Sequence, residues 1–205
     1  MIIHFICRGN SFRSIIAEAY LNSLGIGDSG VLSSGTTATS DKASNLVYYR
    51  MTLELLEQHG IREFAKADYG DQLTQARLEK ADITVCMNRR VYQECLQIVT
   101  FPASPRIWSV ADVGEPGRIA RTESESARYR EEAYQEIVRN VDRLLLACAP
   151  GEVPTGGGSA SLAGRPGRAG HPGTDPAGIA GLAGRRSWRR RFSFRYRRRG
   201  DGRAQ

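Results

Sequence analysis

The stretch Cys7-Arg8-Gly9-Asn10-Ser11-Phe12-Arg13-Ser14 decides how the rest of the chain is read. An apolar run at 2–6 leads into it and reads as a buried strand. A helical pattern at 14–24 leads out of it, with Ile15, Ile16, Ala19, Tyr20 and Leu24 on about one face. A cysteine therefore leaves a strand, and an arginine stands where a helix begins. A loop of this length can curl until its amide N–H groups converge on one spot. The unbonded N–H groups and the positive dipole end of the following helix point there too. Such a loop cradles a tetrahedral oxyanion such as phosphate.

The residue types suit that use. Thiols beside a helix N-terminus and an arginine react as thiolates, which makes Cys7 the candidate nucleophile. Arg13 can bind two oxygens of the anion with its planar fork. Gly9 lets the backbone pass close to the anion, and Asn10 suits a left-handed turn. Ser14 can donate a hydrogen bond to the sulfur. Arg8, Gly9, Asn10, Ser11, Phe12, Arg13 and Ser14 are thus the expected phosphate-binding residues.

The totals describe two unlike pieces. The chain has 205 residues, with 29 basic and 22 acidic side chains and a net charge of +7. Residues 151–205 hold twelve arginines against Glu152, Asp175 and Asp201, a charge of +9. That leaves 17 basic and 19 acidic residues in 1–150, a charge of −2. We divide the chain into a domain at 1–149, long enough for one core, and a Gly/Pro/Arg-rich tail at 150–205. The tail has no apolar periodicity, and its composition predicts disorder. Its arginines, interleaved with Trp188, Phe192, Phe194 and Tyr196, can bind nucleic acid or an acidic surface. An appendage without selected function is the other reading.

Cys7, Cys86, Cys95 and Cys148 show neither metal-ligand spacing nor a secreted disulfide pattern. No apolar run approaches a membrane span, and no signal peptide is visible. A reducing cytoplasm is the expected compartment.

Further along, 25–30 is a turn cluster and 31–36 a second short strand, so strand, helix and strand suggest a parallel βαβ unit. A polar loop covers 37–45. The spacing predicts a helix over 46–59, with Met51, Leu53, Leu55 and Leu56 for its core face and Gly60 as its stop. Tyr48 and Tyr49 can line a substrate entrance or pack. A short helix at 73–78, a buried strand at 81–87, a helix at 91–99 and a fourth strand at 106–110 follow. The exit of that strand, 111–117, is rich in glycine and proline, and strand exits are where α/β sheets bind ligands. From Glu123 a long amphipathic helix runs to Cys148.

Cys-x5-Arg-Ser with Gly-Asn inside resembles the signature of the low-molecular-weight protein tyrosine phosphatases and the related arsenate reductases. The resemblance extends to the Ser-x-Gly-Thr segment Ser33-Ser34-Gly35-Thr36, to the Ala81-Asp82 strand with Met87-Asn88 after it, and to 108–112, and covers roughly 1–148. It implies an α/β three-layer sandwich with a central four-stranded parallel sheet. It implies attack of Cys7 on phosphorus to give a cysteinyl-phosphate, with loop amides and Arg13 stabilising the equatorial oxygens. The substrate would be a phosphorylated protein or a small phosphomonoester, with neither metal nor cofactor. The family carries its general acid in an Asp-Pro pair after an apolar strand. Asp112 fits the spacing, with Val113 in place of proline, and Glu115-Pro116 is the rival. Phe12 stands where many members have a second cysteine, and Ile15 where a proline often follows. Ser11 occupies the place of a threonine found in some bacterial relatives that favour phosphoarginine. Phosphotyrosine-like and phosphoarginine substrates both stay open.

Two other readings remain. A thioredoxin-coupled arsenate reductase needs a relay of cysteines, for which Cys86 and Cys95 are the candidates. A non-catalytic oxyanion-binding protein, or a nucleic-acid binder acting through its arginine tail, is the third.

Overall fold

In the computed structural model, residues 1–26, 30–40 and 42–148 are described. The tail at 150–205 lies outside them. The apolar start of the chain forms β1, Ile2–Cys7, and α1, Arg13–Ser23, follows the loop. Next come β2, Gly30–Gly35, and α2, Lys42–Gln58. A 3-10 turn at Arg62–Phe64 precedes α3, Gln75–Leu78, then β3, Ile83–Cys86, and α4, Arg89–Cys95. The two-residue β4, Arg106–Ile107, and the long α5, Glu123–Cys148, complete the domain.

The strands form one parallel sheet in the order β2-β1-β3-β4. The expected four-stranded parallel sheet and its flanking helices are present. β1 is central, and its alternation assigns its two faces. Ile3, Phe5 and Cys7 join the core formed with α1, α2 and α5. Ile6 turns the other way, onto Leu73, Leu78, Val91 and Cys95 beside α3 and α4. This period of two is what a strand covered on both faces requires. Because the sheet is parallel, the C-terminal ends of β1, β2 and β3 lie along one edge, and the loop after Cys7 emerges there.

Several boundaries differ from expectation by a few residues, α4 among them, which ends at Cys95 rather than 99; two of the differences bear on the site. α2 begins at Lys42, inside the expected polar loop. Its first turn is polar because Ser44 and Asn45 face a cavity rather than the core. β4 is shorter than expected. Beyond Ile107 the chain still bonds to the β3 segment, Trp108 N–H to Cys86 O at 2.9 Å and Val110 N–H to Met87 O at 2.9 Å. It then leaves the sheet to carry residues 111–117 back over the edge.

Candidate active site

The loop after β1 is turned outward by its carbonyls. Cys7 O accepts from Thr36 N–H at 3.1 Å, Arg8 O from Thr37 N–H at 2.9 Å, and Asn10 O from Gly70 N–H at 3.1 Å. Ser11 O accepts from the Thr52 hydroxyl at 2.8 Å, and Phe12 O from Ile16 N–H at 3.0 Å. All peptide bonds among the described residues are trans, so each N–H lies opposite the carbonyl of its own peptide unit. The N–H groups of Arg8, Gly9, Ser11, Phe12 and Arg13 are therefore directed to the other side. Those same five residues line a cavity of about 290 Å³ together with Cys7 and Asp112. The Asn10 N–H turns to Cys7 Sγ at 3.2 Å.

Two glycines make the fold of this loop sterically feasible. A Cβ on Gly9 would stand 2.1 Å from Asn45 Oδ1. One on Gly35 would meet Arg8 O at 2.3 Å and Asn10 N at 2.7 Å, both backbone atoms that cannot move aside. Asn10 takes the left-handed conformation, φ 47°, as its side chain type allows. Its buried amide stabilises that turn with bonds to Ser14, Ser33, Lys66 and the Asp71 N–H.

The sulfur of Cys7 is buried, 3.0 Å from Ser14 Oγ. Phe12 caps α1 without a side-chain hydrogen bond, so the first-turn N–H groups have no side-chain acceptor competing for them. Arg13 is 1% exposed, a burial a guanidinium tolerates only when bonded. Its Nη1 donates to Val110 O at 3.0 Å and its Nη2 to Asp112 Oδ2 at 2.5 Å.

Of the two carboxylates weighed as general acid, Asp112 lines the cavity of Cys7. Burial pushes its carboxyl up from the ordinary value; the Arg13 charge opposes this, Glu115 adds to it, and the net direction is upward. Glu115 lines a different cleft, beside Arg89, Arg90 and Trp108. It accepts from the Asp112 N–H at 3.0 Å and from Asn88 Nδ2 at 3.1 Å, which braces the loop.

The structure thus brings together Cys7, Arg8, Gly9, Ser11, Phe12, Arg13 and Asp112. Asn10 and Ser14 stand behind the loop rather than in its mouth. The two tyrosines divide: Tyr48 is exposed and lines the cavity with Val113, whereas Tyr49 is buried. Tyr49 stacks on Tyr69 at 5.1 Å and donates to Lys66 O at 2.6 Å. Cys86 and Cys95 are fully buried in the core of the α3 and α4 side and are not among the residues lining the cavity. Contact with Cys86, together with burial, holds the Cys95 thiol far above the ordinary range. Among the described residues no three His, Cys, Asp or Glu side chains are grouped to hold a metal ion.

Sequence reasoning passed over Lys66, Asp71 and Glu94. Lys66 and Asp71 lie in an irregular segment with no periodicity to mark them. Glu94 accepts from Thr36 Oγ1 at 2.6 Å and pairs with Arg8 Nε at 3.1 Å, tying α4 to both loops. Its i,i+4 spacing to Arg90 reads from sequence only as a solvated helix pair.

Residues 2–145 match the family model of the low molecular weight phosphotyrosine protein phosphatases. No curated protein matches the chain by sequence. Solved structures do match. Wzb of Vibrio vulnificus, determined with benzylphosphonate, is 19% identical with a TM-score of 0.55, over 71% of this chain and 97% of that one. A low molecular weight phosphotyrosine phosphatase of Vibrio cholerae O395 is 20% identical with a TM-score of 0.52, over 72% and 96%. One from T. tengcongensis is 21% identical with a TM-score of 0.50, over 72% and 99%. At such identities these structures show a shared fold.

Proposed function

Since the chain belongs to the low molecular weight phosphotyrosine protein phosphatase family and is a cysteine-dependent phosphatase, we propose that it hydrolyses aryl phosphomonoesters of the phosphotyrosine type, with Cys7 as nucleophile, Arg13 as phosphate clamp and Asp112 as general acid. The observation that carries this reading is the shared cavity, lined at once by Cys7, the five inward N–H residues, Arg13 among them, and Asp112.

Cys7 Sγ attacks phosphorus and the bond to the leaving oxygen breaks, giving a cysteinyl-phosphate. The loop amides and Arg13 take up charge on the equatorial oxygens. The carboxyl of Asp112 supplies the proton that the leaving oxygen needs. In the second step Asp112, now a carboxylate, takes a proton from water as it attacks phosphorus and frees Cys7. Ser14 stabilises the thiolate as it departs.

Preference for an aryl ester rests on the cavity wall. Phe12, Tyr48 and Val113 offer apolar surface for a ring. A phosphoarginine would bring a guanidinium. Among the described lining residues the single carboxylate is Asp112, already engaged by Arg13. The placement of Cys86 and Cys95 away from this cavity is why we favour hydrolysis over a reductase relay. Because Cys7 must stay reduced to act, we place the protein in a reducing compartment such as the cytoplasm.

The test is hydrolysis of p-nitrophenyl phosphate and of matched phosphotyrosine and phosphoarginine peptides. Turnover of the first two, lost in Cys7→Ser, is expected. Turnover of phosphoarginine alone would overturn the substrate assignment.

A further inference from the structure

We propose that Lys66 is a positioning residue for Cys7: through the side-chain amide of Asn10 it fixes the hydroxyl hydrogen of Ser14 on the Cys7 sulfur. This rests on the reading of Cys7 as nucleophile. A side-chain amide can in principle sit either way round, with oxygen and nitrogen exchanged. Here the surroundings permit one orientation. Asn10 Oδ1 lies 2.8 Å from Lys66 Nζ and 2.9 Å from the Asp71 N–H, both donors. Reversal would set an NH2 group against an ammonium and a peptide N–H. The amide nitrogen therefore faces Ser14 Oγ at 3.1 Å and Ser33 Oγ at 2.9 Å, using both of its hydrogens.

The hydroxyls are then fixed in turn. Ser14 Oγ accepts from Asn10, and its single hydrogen is left for Cys7 Sγ at 3.0 Å. Ser33 Oγ also accepts from Asn10 and donates to the Glu18 carboxylate. Each donor has one assignment, and the chain ends on the sulfur. Lys66 is largely buried, 18% exposed, and is held in place by Asp71 Oδ2 at 2.8 Å. Asp71 in turn pairs with Arg77 at 3.0 Å. Without the ammonium, Asn10 Oδ1 keeps only the Asp71 N–H. The amide can then reverse, the Ser14 hydrogen turns to the amide oxygen, and the sulfur loses a donor.

The test is alkylation of Cys7 by iodoacetamide, located by peptide mapping. Rates are followed across the wild-type pH profile and expressed as the ratio of the rate one pH unit below the wild-type midpoint to the rate on the alkaline plateau. A loosened loop changes both rates, whereas loss of thiolate stabilisation changes their ratio. In Lys66→Met the ratio should fall about tenfold, the scale of one hydrogen bond to a charged group. Lys66→Arg should restore it. Adding Lys66→Met to Ser14→Ala should lower it no further, because the link is already cut.

An unchanged ratio in folded Lys66→Met overturns the proposal. So does an equal fall in the Ser14→Ala background, which would make Lys66 a charge acting through space. If Lys66→Met does not fold, Lys66→Leu, which also lacks a donor, carries the same test: a fall is expected, and an unchanged ratio overturns the proposal. Failure of inorganic phosphate to protect Cys7 in the wild type would be a different result, against the site reading itself.

Discussion

The guanidinium of Arg13 and the carboxylate of Asp112 meet at 2.5 Å although the residues are 99 positions apart in sequence. This contact places the candidate acid on the cavity of the nucleophile, and it separates Asp112 from Glu115. Removing an acid of this kind typically costs about 10² to 10⁴ in rate. Asp112→Asn should therefore lower kcat for p-nitrophenyl phosphate by about that factor, and Glu115→Gln by no more than about tenfold. The loss in Asp112→Asn should shrink with substrates whose leaving group needs no proton. Steady-state kinetics of the two variants decides it; the reverse order would make Glu115 the acid.

Tyr48 and Tyr49 are neighbours with opposite duties. Tyr48→Ala should raise KM for an aryl phosphate about tenfold and leave kcat within about twofold, as expected of a wall that binds ground and transition states alike. Tyr49→Ala should instead lower stability by about 3 kcal/mol, the usual loss for a buried aromatic. Kinetics and urea unfolding of both variants separate the two roles.

How much of this was legible in the sequence follows from what kind of signal each part leaves. The Cys7–Arg13 loop leaves a local one, because a strand, a tight anion cradle and a helix start all fall within a dozen residues. Periodicity identified α1 and α5, whose apolar faces are packed against each other. It failed at the start of α2, where the first turn faces the cavity and carries polar residues. It overran β4, because Trp108 and Val110 keep bonds to the β3 segment after the regular ladder has ended. Lys66 had no signal at all. Its role comes from bonds across distant segments, which composition and spacing do not record.

Gly35 shows how a residue outside the motif sets its shape. Its would-be Cβ falls within 2.3 Å of Arg8 O. Gly35→Ala should cost at least about 2 kcal/mol, since backbone must shift to admit the methyl group. Phosphatase activity should fall with it even at temperatures where the fold persists. Chemical denaturation beside kinetics checks both.

His4 is fully buried, with Nε2 2.7 Å from Ser34 Oγ. Burial first, then the charges of Arg77 and Lys66, lower its pKa from 6.5 to about 4, against a smaller opposing effect of Asp71. Below pH 6.5 the unfolded chain takes up a proton here that the folded chain refuses. Stability should therefore fall as pH drops from 6.5 to about 4, by about 3 kcal/mol from this residue alone. His4→Gln should flatten that slope. Urea unfolding across this range, with equal slopes for both proteins, would refute the assignment.

The central claim is that phosphorus passes through the sulfur of Cys7. Acid quenching during turnover of an aryl phosphate, followed by peptide mapping, reads it most directly. The account predicts a phosphoryl group on Cys7, absent from Cys7→Ala, which should also be inactive. A phosphoryl group on any other residue, or sustained turnover by Cys7→Ala, would contradict it.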